Sequence, residues 1–346
     1  MYDLDPIDRR IVAALQVNGR ASWTDIAQLV DTSVTTVARR AQQLFASGLV
    51  RVAAVPHPTG ATGADMVIVR LRCAPGAQLD AGAAIAALPE VRFVAVVTGA
   101  YDLVAEIEVD KGRALHTLLI DGLQHIPGVQ RSVADLELHT YKATHGWSRQ
   151  LLGAAALAAP QPVHDCPPGH VDELDEKIVD VLRQDGRASF QAVAQGLGVS
   201  ESTVRRRFEA LYSTGCVQVI TLVPAAALGF EAEMFFWLSV APARLAAVAA
   251  ALAALPGVRY VAATLGQQSL MCEVILPTHE DVYQFTTGTL AGIEGIQAWT
   301  ANVELLTLKR GFVPTPWSSA YLAGTREPSP TVARSPRGRR PSAART

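Results

Sequence analysis

Apolar residues recur at helical spacing near the N-terminus, change to strand spacing further along, and then repeat the whole alternation. Ile7, Ile11 and Leu15 fall at i, i+4 and i+8, the stripe of an amphipathic helix. Asn18-Gly19 closes it, because glycine accepts the left-handed conformation a helix end requires. A second helix is predicted around Trp23 to Val30, and a third after Ser33, whose hydroxyl can cap it. On the third, Val37, Ala41 and Leu44 form the apolar stripe, which turns Thr35, Thr36, Arg39 and Arg40 away from the core.

The period then shortens. "ADMVIVRLRC" reads as a strand, "LDAGAAIAALPE" as a helix, and "VRFVAVVTG" and "DLVAEIEVD" as two strands with a polar turn between them. "KGRALHTLLIDGLQHIPG" is helical and "VQRSVADLELHTYK" is a last strand. The order β-α-β-β-α-β is the ferredoxin-like arrangement, a four-stranded antiparallel sheet with both helices on one face. Its other face is left bare and apolar, which marks a surface for self-association.

"NGRAS" at Asn18–Ser22 returns as "DGRAS" at Asp185–Ser189, an offset of 167 residues. The same offset lays "TDIAQLVDTSVTTVARRAQQLFASGLV" on "QAVAQGLGVSESTVRRRFEALYSTGCV" without a gap. It still holds from Lys142 to Lys309, apart from a one-residue slip around Gly63 and Gly229. A complete unit is therefore duplicated. The class is α+β: two copies of a winged-type helix-turn-helix followed by a ferredoxin-like domain. The expected divisions are helix-turn-helix domains at 1–52 and 171–219, and sheet domains at 53–142 and 220–312. A linker rich in Ala, Pro and Gly spans 143–170, and a basic Pro/Ser/Arg tail, expected to be disordered, spans 322–346.

Two short helices joined by a tight turn, the second with hydroxyls at its start and arginines a turn later, suit a DNA groove. Hydroxyls bond phosphates or base edges, and a guanidinium forks onto guanine or grips a phosphate. In the second copy the matching residues are Ser202, Thr203, Arg206 and Arg207, with Arg205 added. That copy has Gly198 at its turn where the first has Asp31, which tolerates the left-handed conformation less well.

The formal net charge of −2 means that attraction to a polyanion must come from such local patches. An acidic N-terminus and the shortness of the alanine-rich runs argue against a signal peptide or membrane span. Cys73, Cys166, Cys216 and Cys272 are scattered, which fits a reducing cytoplasm. His164, Cys166 and His170 in "HDCPPGH" match no zinc spacing. No metal, cofactor or catalytic constellation is expected.

The helix-turn-helix wording, the "SGLV" that follows it and the "TGAYDLVAEI" of the sheet domain together resemble the Lrp/AsnC family of amino-acid-responsive transcription regulators. The resemblance implies three kinds of partner: double-stranded DNA, a small effector (commonly an amino acid), and self-association through the sheet domains. It also implies an effector site at the turn between the second and third strands, here Gly99, Tyr101 and Asp102, where the second copy has Gln268 and Ser269 at the last two positions. Two other readings share the architecture. Sirohaem decarboxylases are built from the same two-part unit, but the third strands "YDLVAEI" and "QSLMCEV" lack an Asn-Leu-Trp-type signature. An amino-acid sensor without DNA binding is the other.

Overall fold

The computed structural model describes residues 4–56, 64–109, 115–144, 146–152 and 170–322. The tail and most of the expected linker, with His164 and Cys166, lie outside them. Each unit opens with three helices: α1 (Pro6–Val17), α2 (Trp23–Val30) and α3 (Val34–Ala46), then α5 (Glu173–Gln184), α6 (Phe190–Leu197) and α7 (Glu201–Ser213). Every one of the six starts at an Asp or Ser whose side chain accepts a backbone N–H of the first turn. Strand β1 (Arg51–Pro56) follows the first triplet and β6 (Val217–Leu222) the second. The two pair antiparallel with each other, from Arg51 opposite Leu222 to Pro56 opposite Val217, so one ribbon ties the helical domains together.

The first sheet domain contributes β2 (Asp65–Cys73), α4 (Gln78–Ala87), β3 (Val91–Val97), β4 (Leu103–Val109) and β5 (Val129–Ala143). The second contributes β7 (Ala232–Val240), α8 (Leu245–Ala253), β8 (Val258–Leu265), β9 (Leu270–Leu276), α9 (His279–Gln284) and β10 (Ile296–Arg310). The segment before β5 includes a π-helical turn, Thr117–Gly122, and α9 runs into another, Phe285–Leu290. Two 15-residue strands turn the corners. β5 pairs with β2 through its first half and with β8 through its second; β10 pairs likewise with β7 and then β3. The eight strands close on themselves, so the ladder has no free edge where the units meet.

The apolar faces left bare in each unit become one interior, containing Ile68, Phe93 and Val104 of the first unit and Phe235, Trp237 and Met271 of the second. At its centre Arg70 lies over the Trp237 ring at 4.5 Å. These are the same position in the two copies. Arg70 pairs with buried Asp135 at 2.6 Å, while the Trp237 indole N–H donates to Asn302, the counterpart of Asp135, at 2.8 Å.

The start of the expected linker is ordered. β5 runs to Ala143, and Trp147–Leu152 forms a 3-10 turn whose Trp147 is buried against Phe230, ring centroids 5.2 Å apart. A large aromatic finding an apolar slot outweighs the surrounding linker-like composition. After β10 the chain continues through β11 (Val313–Pro314) and α10 (Pro316–Leu322).

Candidate nucleic-acid interface

Helices α3 and α7 are built alike. Ser33 and Ser200 accept the backbone N–H of Thr36 and Thr203, each at 3.1 Å, and fix where each helix begins. Val37, Ala41 and Leu44, and in the second unit Val204, Phe208 and Leu211, are buried beneath them. That leaves Thr35, Arg39, Ser202, Arg205 and Arg206 exposed, and Thr36 and Thr203 half-buried at the first turn. The hydroxyls of Thr35 and Thr36 sit 3.0 and 2.8 Å from Ser33 Oγ, and those of Ser202 and Thr203 sit 2.9 and 2.8 Å from Ser200 Oγ. Arg205 is tethered along its own helix to Glu201 at 2.7 Å.

Two arginines are employed differently from the sequence expectation. Arg40 reaches back to Asp5 at 2.5 Å and Asp8 at 3.0 Å, and Arg207 to Asp172 at 2.6 Å and Asp175 at 3.0 Å. Each lies one position too far round the helix to face outward, and its Nη1 instead bridges two carboxylates and clamps the third helix to the start of the first. The clamp holds Asp5 and Asp172 below the usual carboxylate range, through their bonds to the backbone N–H of the first turn and to the arginine.

The repeated "GRAS" phrase docks on itself. Arg20 donates to the carbonyls of Gly186 and Ala188 at 2.6 and 3.0 Å, and Arg187 donates to those of Gly19 and Ala21 at 2.5 and 3.0 Å. Each guanidinium also covers an aromatic ring of the other unit, Arg20 over Phe190 at 4.4 Å and Arg187 over Trp23 at 4.0 Å. Burial pushes both guanidinium pKa values below their ordinary value, yet an arginine keeps its charge in either case. The glycine beside each arginine allows the approach. A Cβ on Gly186 would lie 2.7 Å from the backbone nitrogen of Ala53 in β1. Ribbon and clasp together fix the spacing and orientation of α3 relative to α7.

The turn between β3 and β4 is packed rather than open. Gly99 has a φ of +100°, and the space a Cβ would need is taken by the Asn302 amide of the second unit, which donates to the Thr98 carbonyl. Asp102 accepts the Cys73 N–H at 2.7 Å, an internal cap on the end of β2. Tyr101 is half-buried with its ring 5.2 Å from the Arg70 guanidinium, and Gln268, its counterpart, bonds the same guanidinium at 3.0 Å. Of the residues expected at an effector site, Gly99 is thus packed against the second unit, and Asp102 is occupied within the first.

Residues 4–44 and 171–211 match the AsnC-type helix-turn-helix domain, and residues 66–147 and 233–314 match the Lrp/AsnC ligand binding domain. The chain belongs to the Lrp/AsnC family. It carries that family's two-domain unit twice, as a tandem transcription regulator. An HTH-type transcriptional regulator of Pyrococcus furiosus is 30% identical over 37% of this chain and 86% of its own length. The regulator LrpA of Pyrococcus abyssi is 29% identical over 40% of this chain and 99% of its own. Each relative therefore corresponds to one half of this Lrp/AsnC chain. The crystal structure of the sirohaem decarboxylase NirDL bound to an iron-uroporphyrin III analogue covers 92% of this chain and 99% of that one. Its TM-score is 0.58 at 14% identity, a likeness of fold.

Sequence reasoning missed Arg20 and Arg187 as residues of the interface. The signal was present, since "GRAS" is the longest run shared without change between the helical domains, but its partner lies in the other copy. Among the described residues no group of His, Cys, Asp or Glu is placed to hold a metal, and none of the helices is long and apolar enough to cross a membrane. His170 of the "HDCPPGH" cluster lies beside Cys216, Nε2 to Sγ 2.8 Å.

Proposed function

We propose that this chain binds one DNA duplex with both recognition helices at once, α3 and α7, and that a small effector, an amino acid, regulates the complex. Thr35, Thr36 and Arg39 of the first unit, with Ser202, Thr203, Arg205 and Arg206 of the second, are the groups that would meet the DNA. The observation that carries this reading is the doubled arrangement: the same hydroxyl-and-arginine face occurs twice, on helices held to each other by a reciprocal clasp. A symmetric regulator achieves such spacing by dimerising, and its recognition helices then enter grooves about one helical turn, roughly 34 Å, apart. Here the second helix is delivered by the same chain, at an effective concentration on the order of millimolar.

The test is fluorescence anisotropy with duplexes from the region upstream of the chain's own gene, comparing the unaltered protein with the double variant Arg39→Ala/Arg206→Ala. Binding that weakens in the double variant supports the reading, and equal binding by both proteins removes it. The fold shared with a decarboxylase makes incubation with sirohaem, followed by absorbance, the matching control for an enzyme.

A further inference from the structure

A cavity of about 160 Å³ lies in the second unit, between the sheet and the ribbon that carries the helical domains. At the ~30 Å³ a water takes in the liquid it has room for roughly five waters, and a cavity of about this size accepts a ligand as large as benzene, about the heavy-atom count of a small amino acid. Its charged wall is formed by Glu233, Arg259, Glu304 and Arg310. Arg259 lies 3.2 Å from Glu233 and 3.3 Å from Glu304, and also pairs with Glu273 behind them. Arg310 reaches Glu273 at 2.9 Å and Glu304 at 3.1 Å. The lining also has an apolar part, which includes Val223, Trp147 and Trp317.

Comparison with the first unit shows what is particular to this chamber. Arg259, Glu273 and Glu304 correspond to Arg92, Glu106 and Glu137, so that part of the network is inherited by both copies. Glu233 and Arg310 correspond to Met66 and Ala143. The second unit has therefore gained one charge of each sign at the same cavity. Those two are also the least covered members of the network, with side chains 20% and 13% exposed, against 2–6% for Arg259, Glu273 and Glu304. On the basic side of the network Arg310 keeps part of its side chain exposed. On the acidic side, among the described residues, each Glu233 oxygen accepts a single bond, from the Ala225 N–H at 3.3 Å and from Arg259. A carboxylate can accept about four.

We infer that this chamber binds a free α-amino acid as its zwitterion, ammonium on Glu233, carboxylate on Arg259 and Arg310, and side chain against Trp147, Val223 and Trp317. The inference rests on the effector reading above and gives it a site other than the β3–β4 turn. It also supplies a route to the DNA-binding domains. The wall includes Thr221 and Leu222 of β6, the strand that pairs with β1, and the Thr221 hydroxyl donates to the Leu15 carbonyl of α1 at 2.7 Å, so a ligand there adjoins the ribbon and the first helix of the first unit. Burial raises Glu304, which Arg310 only partly offsets and which Glu233 and Glu273 raise further, up to about 8. With that proton in place the wall carries Arg259, Arg310 and Glu233 as its charged groups, and Glu273 behind it balances the second arginine.

The test is titration calorimetry of the full chain against the twenty L-amino acids singly, then against the amine and the carboxylic acid matched to the tightest binder. Three variants accompany it: Glu233→Gln, Ala226→Phe, which fills the exposed rim without touching a charge, and Asp102→Asn at the β3–β4 turn. The expected result is binding of at least one amino acid, weakened about ten- to hundredfold in Glu233→Gln, the range for one charge-assisted hydrogen bond. Ala226→Phe should abolish it and Asp102→Asn should leave it unchanged. Both matched analogues should bind at least tenfold more weakly, because each lacks one of the two charged groups the chamber would hold. Unchanged binding in Glu233→Gln and Ala226→Phe, or an amine binding as tightly as its amino acid, overturns the chamber site while leaving the regulator reading intact. If no amino acid binds, chamber and effector reading fall together, and DNA binding measured on the same preparation is scored separately.

Discussion

Neighbouring arginines on one helix divide between two tasks. Arg39 and Arg206 are exposed, whereas Arg40 and Arg207 are drawn inward by paired carboxylates. Arg39→Ala or Arg206→Ala should weaken specific DNA binding by about 1–3 kcal/mol if the arginine reads a base. Arg40→Ala and Arg207→Ala should instead lower the melting temperature and leave sequence preference unchanged, as anisotropy against a panel of mutated operators will show. Helical spacing alone placed all four together. The Asp-x-x-Asp at positions 5 and 8, repeated at 172 and 175, was the only sign in the sequence that two were committed elsewhere. A smaller asymmetry concerns the turn before the recognition helix. Asp31 is left-handed at φ 55° and Gly198 at φ 67°, and nothing lies within 4 Å of where a Gly198 Cβ would sit. Gly198→Ala should therefore cost about 1 kcal/mol from backbone strain alone, measured by urea unfolding.

At the scale of elements, the order of helices and strands was legible because both periods are strong and each unit states them twice. The joints between the units were not. β5 and β10 read as single long strands, and nothing in their alternation shows that each leaves one sheet at its midpoint for the other. The clasp was equally hidden, because its bonds join residues 166 or 168 positions apart. Replacing both Arg20 and Arg187 with alanine leaves each helical domain's own core intact, including Ile11, Leu15 and Val37 in the first and Ile178, Val204 and Phe208 in the second. The expected outcome is a folded protein that tolerates altered half-site spacing and binds its preferred spacing less tightly, read by anisotropy on operators with one to three inserted base pairs.

Duplication allowed the whole molecule to become asymmetric at its centre. A symmetric pair with arginine at position 70 of both copies would set two buried guanidiniums against each other, and at a separation of ~5 Å the repulsion would be about 3 kcal/mol at an effective dielectric near 20. Arg70 facing Trp237 turns that clash into a cation–π interaction, and it makes one unit the natural partner of the other rather than of itself. The buried charges also set a pH dependence. Glu304, raised from 4.5 to about 8, holds a proton in the folded state that the unfolded chain releases. Its contribution to stability is therefore full below pH 4.5 and lost as pH rises towards 8. Burial lowers Lys142 and Lys309 from 10.5 to about 8, so their charged forms oppose folding below pH 8, and this opposition is relieved between pH 8 and 10.5. Burial also raises the Cys73 thiol to about 11 and the Cys272 thiol further, which opposes that relief above pH 9. Thermal melts should therefore decline from pH 4.5 to 8, and Glu304→Gln should make that decline shallower.

Two unlike reading heads in one chain imply an operator with two unlike half-sites, bound by a single polypeptide. The direct measurement is anisotropy with stoichiometric titration on a selected operator, repeated with every base pair substituted in turn and with Arg39→Ala and Arg206→Ala. The expected result is one chain per duplex and two half-sites of different sequence centred about 10 base pairs apart, with each variant indifferent to substitutions in one half-site only. A requirement for two chains per duplex, or identical half-sites to which both variants respond alike, would contradict it.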